Sequence, residues 1–165
     1  MAWTDDDVKW MRRAIGLARQ GAVKPGRNPI GCVIVRDGVV LGEGCNEVDQ
    51  RHDATAHAEI VSIRRAGEKL RYHELRGAAL YSTLQPCGMC TMASIWAKVG
   101  RIVYGAGRDD VHRMYFEDRH LDTVDFIRDA FRDDLALEGG LLARECAGLY
   151  VPPDADVPEE EQFNR

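Results

Sequence analysis

Strand and helix patterns alternate through the central part of this chain, and that alternation restricts the possible folds more than any other feature of the sequence. Four β-branched or apolar runs predict strands, at 30–35, 39–44, 79–83 and 101–105. An Asp-Gly turn joins the first two runs, so we expect them to form an antiparallel hairpin. Helical patterns at 55–70 and 87–98 separate the later strands. This order, β-β-α-β-α-β, predicts a mixed sheet with parallel members and helices on its faces.

Further helices are predicted on either side of this region. Thr4 and the acidic residues after it form a pattern typical of a helix cap, and the apolar spacing that follows predicts a first helix. Apolar spacing also predicts helices at 122–135 and 141–149. A chain of 165 residues can bury a core without disulfides, so we expect one α/β domain at 1–151 and an acidic C-terminal tail at 152–165.

The charge balance disfavours proteins whose affinity depends on neutralising phosphates. The chain has 22 Lys and Arg against 27 Asp and Glu, a net charge of −5. The tail at 152–165 contains five acidic residues and one arginine, so most of the excess negative charge lies there. Nucleic acid is therefore a less favoured partner than a small molecule.

The start of the chain and the cysteines predict a cellular compartment. The start, Met-Ala-Trp-Thr-Asp-Asp-Asp, is unlike a signal peptide, and no apolar run is long enough to span a membrane. Among the five cysteines, Cys87 and Cys90 have the spacing of a metal or redox pair rather than of a disulfide framework. We expect a cytoplasmic protein without a membrane partner, in which Cys32, Cys45 and Cys146 are small apolar residues.

Two short motifs each open a predicted helix. The first is Thr-Ala-His-Ala-Glu at 55–59, and the second is Pro-Cys-Gly-Met-Cys at 86–90. Cysteines three residues apart on a helix are separated by roughly 60° around its axis, so both sulfurs can reach one metal ion. The helix N-terminus favours the thiolate form that binds metal. Side chains in a first turn lean toward the N-terminus, so the His and the Glu of the first motif can reach the same site.

Together these residues predict a catalytic zinc site. The imidazole of His57 and the thiolates of Cys87 and Cys90 supply three protein ligands, which leaves the fourth position of a tetrahedral zinc ion open for water. Zinc lowers the pKa of such a water to about 7. Glu59 is not needed as a ligand, and we expect it to act as the general acid and base.

Either motif alone has other interpretations. A lone Cys-x-x-Cys also occurs in thioredoxin-like redox pairs and as half of a structural zinc site. A redox pair leaves His57 and Glu59 unexplained, and a structural site needs a fourth ligand, for which the sequence has no second Cys-x-x-Cys. In this order the two motifs match the His-x-Glu and Pro-Cys-x-x-Cys signature of zinc deaminases, which are therefore the favoured hypothesis.

On these motifs the sequence resembles the cytidine deaminase superfamily, over about residues 5–118. Matching segments include Asn-Pro-Ile-Gly-Cys-Val-Ile-Val at 28–35, Gly-Glu-Gly-Cys-Asn at 42–46 and Leu-Gln-Pro-Cys-Gly-Met-Cys at 84–90. The resemblance implies a three-layer α/β/α fold around a five-stranded mixed sheet, one zinc ion per chain and a homodimer.

Local features resemble bacterial guanine deaminases more than tRNA adenosine deaminases. Ile-Trp-Ala at 95–97 is similar to an aromatic-Trp-Ala segment of the guanine enzymes, and Phe-Glu-Asp at 116–118 is similar to their Phe-Asp-Asp. Asn46 stands where these enzymes hold the base with an amide, and the backbone N–H of Ala58 is implied to meet a ring carbonyl. The resemblance thus implies five substrate-binding residues: Asn46, Ala58, Trp96, Phe116 and Asp118.

Three of these side chains also have a structural interpretation, and other features depart from the guanine enzymes. Trp96 could be a core aromatic, Asp118 part of a charged loop and Asn46 a turn residue. Gln85 replaces the Glu commonly found before Pro-Cys, and Ala54 replaces a Pro. Gly-Leu-Leu-Ala-Arg-Glu-Cys near the C-terminus resembles the final helix of tRNA adenosine deaminases, although their basic C-terminal segment is missing. Yeast-type cytosine deaminases share the Pro-Ile-Gly run.

Three functional hypotheses follow. The first is hydrolytic deamination of a free amino-heterocyclic base, with guanine as the first substrate and cytosine or isocytosine next, which releases ammonia. The second is adenosine-to-inosine deamination in tRNA, which requires a basic groove for the stem-loop. The third is a zinc-stabilised domain without enzyme activity that binds a partner through its acidic arm.

Overall fold

The computed structural model describes residues 2–23, 28–116, 122–130 and 132–162. Over these residues the chain forms, in order, α1 Asp5–Gly21, β1 Gly31–Arg36, β2 Val39–Cys45, α2 Val48–Arg51, α3 Ala58–Leu70, β3 Ala79–Leu84, α4 Gly88–Trp96, β4 Arg101–Ala106, α5 Thr123–Asp129, β5 Ala136–Gly139 and α6 Ala143–Ala147. Short 3-10 turns occur at Arg108–Asp110, Arg113–Tyr115 and Glu159–Glu161.

The strands form one mixed sheet in the order β2-β1-β3-β4-β5. β1 pairs antiparallel with both β2 and β3, whereas β3, β4 and β5 run parallel to one another. Parallel strands buried on both faces read as continuous apolar runs, and Leu80 of β3 and Ile102 and Val103 of β4 accordingly lie in the core. Val33 and Ile34 of the antiparallel strand β1 are buried there as well. The predicted five-stranded mixed sheet of an α/β protein is therefore confirmed.

Helices cover both faces of this sheet. Successive residues of a strand point to opposite faces, and on β3 the Tyr81 hydroxyl donates to Asp7 of α1, whereas the Ser82 hydroxyl donates to Glu59 of α3, each at 2.8 Å. Glycine permits close helix contact on each side. A Cβ at Gly31 would lie 2.1 Å from a backbone oxygen of α1. These contacts give the three layers that the sequence predicted.

The segment after β4 differs from the prediction. A single helix was expected over 122–135, but α5 ends at Asp129 because the backbone of Ala130 is extended. The next described residues lead into β5, which pairs with β4 from Arg101 to Tyr104. The backbone of β5 hydrogen-bonds along an edge that would otherwise stay open, and this non-local pairing overrides the local helical spacing.

The C-terminal residues pack beside the turn at Arg113–Tyr115. The N–H of His112 donates to the Val151 carbonyl at 2.8 Å, and the Val151 N–H donates to the Tyr115 hydroxyl at 3.2 Å. The tail beyond is half-buried at Ala155 and Val157. In the part of the chain that the structure describes, no helix has the length and apolarity needed to cross a membrane.

Candidate zinc site and active-site cavity

The two sequence motifs meet at the ends of two neighbouring helices. His57 is the N-cap of α3 and Cys87 is the N-cap of α4, and neither side chain caps its own helix. Cys90 lies in the first turn of α4 and is fully buried. An N-cap residue has an extended backbone, which turns its side chain away from the helix and toward the space beyond its end. Both motifs therefore present donor atoms to one point.

The three donor atoms have the spacing of a tetrahedral zinc site. His57 Nδ1 lies 3.7 Å from Cys87 Sγ and 3.6 Å from Cys90 Sγ, and all three donors lie within 4.8 Å of one another. Zinc–nitrogen and zinc–sulfur bonds of ordinary length at a tetrahedral angle place nitrogen and sulfur about 3.6 Å apart. The donor set and its spacing therefore fit zinc. Among the described residues this is the only such cluster of metal-binding side chains.

The pKa values of the two cysteines shift in opposite directions. The contacts of Cys87 with Cys90 and His57 lower the pKa of Cys87 to about 4. The contact with Cys87, together with burial, raises the pKa of Cys90. The lowered pKa favours the thiolate form of Cys87, which is the form that binds zinc.

Glu59 lies beside this cluster without belonging to it. Its side chain is buried, with 3% of the residue exposed, and its Oε1 accepts a hydrogen bond from Ser82 at 2.8 Å. Its Oε2 accepts from Cys90 Sγ at 3.5 Å. Burial raises the pKa of Glu59, which makes its carboxylate a better proton acceptor than one in water. This position suits a residue that transfers protons next to a metal ion.

A cavity of about 240 Å³ opens onto these groups. Both His57 and Glu59 line it, and its other walls come from the ends of β1, β2 and β3 and from the turn at Arg113–Tyr115. The apolar contributors include Ile30, Leu84 and Met114. The size is below the range of about 300–1,000 Å³ that is usual for drug-sized ligands, so a compact ligand is favoured.

The structure brings some of the predicted substrate residues to this cavity. Asn46 and Phe116 line it, and Ala58 is buried between His57 and Glu59 at the first position of α3, where a backbone N–H has no acceptor within the helix. The guanidinium of Arg108 lies 4.7 Å from the centre of the Phe116 ring. Asn46 is 5% exposed, and its Oδ1 has no hydrogen-bond partner among the described residues.

Two predicted residues are not placed there. Trp96 is 73% exposed and lines a separate groove between α4 and α5, so it is neither a core residue nor part of this cavity within one chain. Asp118 lies outside the described residues.

Sequence reasoning missed three polar residues of the site. Ser82 contacts Glu59, whereas Asn28 and Gln85 line the cavity. The signal for Ser82 was a hydroxyl residue inside an otherwise apolar strand. The signal for Asn28 was its place directly before the Pro-Ile-Gly run. Neither signal identifies a contact without the register of the sheet.

Comparison with known proteins decides the family. The model of the cytidine and deoxycytidylate deaminase zinc-binding region matches residues 4–106, which include all three metal donors and Glu59. The chain belongs to this deaminase family. A tRNA-specific adenosine deaminase of Buchnera aphidicola is 33% identical over 87% of this chain and 90% of its own length. A guanine deaminase of Bacillus subtilis is 38% identical over 66% of this chain and 70% of its own length.

Solved structures agree with this membership. A structure from a study of A-to-I editing by tRNA:A34 deaminases matches with a TM-score of 0.72 and 34% identity, over 86% of this deaminase and 98% of that chain. The guanine deaminase of Bacillus subtilis matches with a TM-score of 0.59 and 36% identity, over 64% of this chain and 66% of that one. The cytidine deaminase fold and a zinc cofactor are thereby established for this protein.

Proposed function

We propose that this deaminase hydrolyses the exocyclic amino group of a free heterocyclic base and releases ammonia, with guanine as the first substrate and cytosine or isocytosine next. The compact cavity carries this proposal. It joins two of the metal donors, His57 and Cys87, with Glu59 and Asn46 around a space of about 240 Å³, which suits a single base. The net charge of −5 also favours a small substrate over a polyanion.

The zinc ligands, Glu59 and Ser82 have different roles in the proposed reaction. Zinc held by His57, Cys87 and Cys90 supplies Lewis acidity, which brings the pKa of a water molecule near neutrality. The reaction forms a carbon–oxygen bond at the amino-bearing carbon and breaks the carbon–nitrogen bond. Glu59 takes the proton of the attacking water, delivers it to a ring nitrogen and then assists the departure of ammonia. The Ser82 hydroxyl holds one carboxylate oxygen of Glu59 during these transfers.

Other residues orient the base. Asn46 offers its buried amide to the ring edge, the N–H of Ala58 meets a ring carbonyl, and Phe116 forms an apolar wall. For Asp118, which follows Phe116 closely in sequence, we propose a role in recognition of the base and proton movement. We also propose a homodimer, for which the exposed Trp96 on α4 supplies apolar surface. Any substrate contact of Trp96 would then have to come from such an assembly.

The proposal is tested with zinc-loaded protein and a panel of guanine, cytosine, isocytosine, adenine and their nucleosides. We expect ammonia release from at least one free base. Glu59→Gln should keep its zinc and its fold and lose turnover by roughly 100-fold or more. Glu43→Gln is the matched control, because Glu43 pairs with Arg13 on the surface and should retain turnover. Full activity of Glu59→Gln, or a parent protein inactive on every base, would refute the proposal.

Deamination of adenosine in tRNA is the second candidate. It is favoured by the Buchnera relative, whose match extends over 87% of this chain, including part of the C-terminal third. It is disfavoured by the acidic tail, where a polyanionic substrate would be repelled. Inosine formation in an anticodon stem-loop, with a steep fall in turnover as salt increases, would support it.

A further inference from the structure

A second amide, with a buried oxygen, lines the active-site cavity, and no role for it followed from the sequence. Asn28 lines the cavity together with Asn46, and its Oδ1 is buried. Like the Oδ1 of Asn46, it has no hydrogen-bond partner in the part of the chain that the structure describes. A buried acceptor without a donor costs roughly 1–3 kcal/mol, so a pair in one cavity calls for an explanation.

The backbone places both amides at the same end of the sheet. Gly31 of β1 pairs with Cys45 of β2, and one step further the N–H of Asn46 donates to the Ile30 carbonyl at 3.0 Å. The N–H of Ile30 in turn donates to the backbone carbonyl of Asn28 at 2.8 Å. Asn28 and Asn46 are therefore held by one continuous chain of backbone hydrogen bonds at the end of the sheet that faces the zinc site.

This backbone arrangement argues against an Asx turn, in which the Asn28 side chain would accept from the N–H two residues later. An asparagine in a turn commonly accepts a hydrogen bond with its side chain from the N–H two residues later. Here that N–H, of Ile30, is taken by the main-chain carbonyl of Asn28. The side-chain oxygen of Asn28 is therefore left without a partner among the described residues, in a residue that lines the cavity.

We propose that Asn28 is a second base-recognition residue, whose Oδ1 accepts a hydrogen bond from an N–H of the heterocycle while Asn46 holds another part of its edge. This inference rests on the proposed function and narrows it. Two acceptors in one cavity select a flat ligand with at least two N–H donors, which is the chemistry of a free base that carries both ring N–H and amino groups. A base whose edge offers only acceptors would leave both oxygens unpaired.

The test compares three variants of the zinc-loaded protein with its parent. Asn28→Ala removes the acceptor, whereas Asn28→Asp keeps an acceptor of the same size. Gln50→Ala removes an exposed amide outside the cavity and serves as the matched control. Steady-state kinetics on guanine, calorimetric binding of the product xanthine and thermal unfolding are measured for each protein.

A hydrogen bond lost in both the ground state and the transition state changes KM and leaves kcat unchanged. We expect Asn28→Ala to increase KM for guanine and Kd for xanthine roughly 3- to 10-fold, with kcat within about 2-fold of the parent. Asn28→Asp should lie closer to the parent than Asn28→Ala, and Gln50→Ala should match it.

The outcomes separate the two proposals. If the parent deaminates guanine and Asn28→Ala has an unchanged KM and Kd, the role of Asn28 is refuted and the proposed function stands. The same conclusion follows if kcat and the unfolding temperature fall together while KM stays constant, because the residue is then only structural. If the parent neither binds nor deaminates any free base, the proposed function fails, and the role of Asn28 fails with it.

Discussion

Gln85 lines the cavity and holds the segment that begins α5. Its Nε2 donates to Asp122 Oδ1 at 2.7 Å and to Thr123 Oγ1 at 3.0 Å, while its Oε1 accepts from the N–H of Arg108 at 3.2 Å. Gln85 is buried, and the Asp122 side chain also caps α5. An amide fits this position because its Nε2 can donate to two groups while its Oε1 accepts from a third.

Gln85→Glu should therefore destabilise the protein, although the substituted side chain has the same size. The substitution removes the hydrogen bond to a charged acceptor, which contributes about 1.5–3 kcal/mol. It also places two carboxylates about 3 Å apart, a repulsion of about 1.5 kcal/mol even at the dielectric constant of water. Asp122 is exposed and can turn away, so we expect a loss of about 3 kcal/mol in the free energy of unfolding at pH 7 rather than the full sum.

Urea unfolding of the zinc-loaded protein, followed by circular dichroism, measures this loss. Gln85→Glu combined with Asp122→Asn should recover most of the stability, since the asparagine amide then donates to the introduced carboxylate. A single variant within 0.5 kcal/mol of the parent, or a double variant no more stable than the single one, would refute the reasoning.

Two further predictions concern metal binding and acid stability. Cys87→Ala should hold far less than one zinc per chain by atomic absorption, whereas Cys146→Ala, in the core, should keep its zinc; equal zinc contents would exclude the assigned ligand. Burial opposes ionisation of Asp7, but hydrogen bonds from Arg101 and Tyr81 hold the pKa of this carboxyl well below its usual range. The stability from this carboxylate is fully present above about pH 4 and is lost gradually as pH falls from there toward the lowered pKa of the folded state. Asp7→Asn should therefore cost about 3 kcal/mol at pH 7 and somewhat less at pH 3 in urea unfolding. Parallel pH profiles for Asp7→Asn and the parent would contradict this assignment.

The metal site could be predicted from the sequence because its geometry is mainly local. The spacing of Cys87 and Cys90 on one helix sets how far apart their sulfurs lie, and the start of α3 sets the direction of His57. Only the approach of the two helices is non-local, and the alternation of strands and helices already implied it. The predicted donors therefore form one cluster in the structure.

The remaining features depend on contacts that spacing does not encode. Ser82 contacts Glu59 only because β3 lies beside β1 in a particular register. Asn28 lines the cavity only because the start of β1 pairs with the end of β2. The helical spacing after Asp122 correctly predicted α5, but this helix ends at Asp129. Residues 136–139 instead form β5, which pairs with the edge of β4. Trp96 was assigned to the substrate by resemblance alone, and within one chain it faces outward.

Free-base deamination is tested most directly by measuring ammonia release from guanine beside inosine formation in an adenosine-containing tRNA anticodon stem-loop, with one zinc-loaded preparation. We expect kcat/KM for guanine, or for another free base of the panel, on the order of 10⁴ M⁻¹s⁻¹ or higher. We also expect no inosine above the level of a Glu59→Gln control. Inosine formation in the stem-loop without ammonia release from any free base would contradict the proposed function.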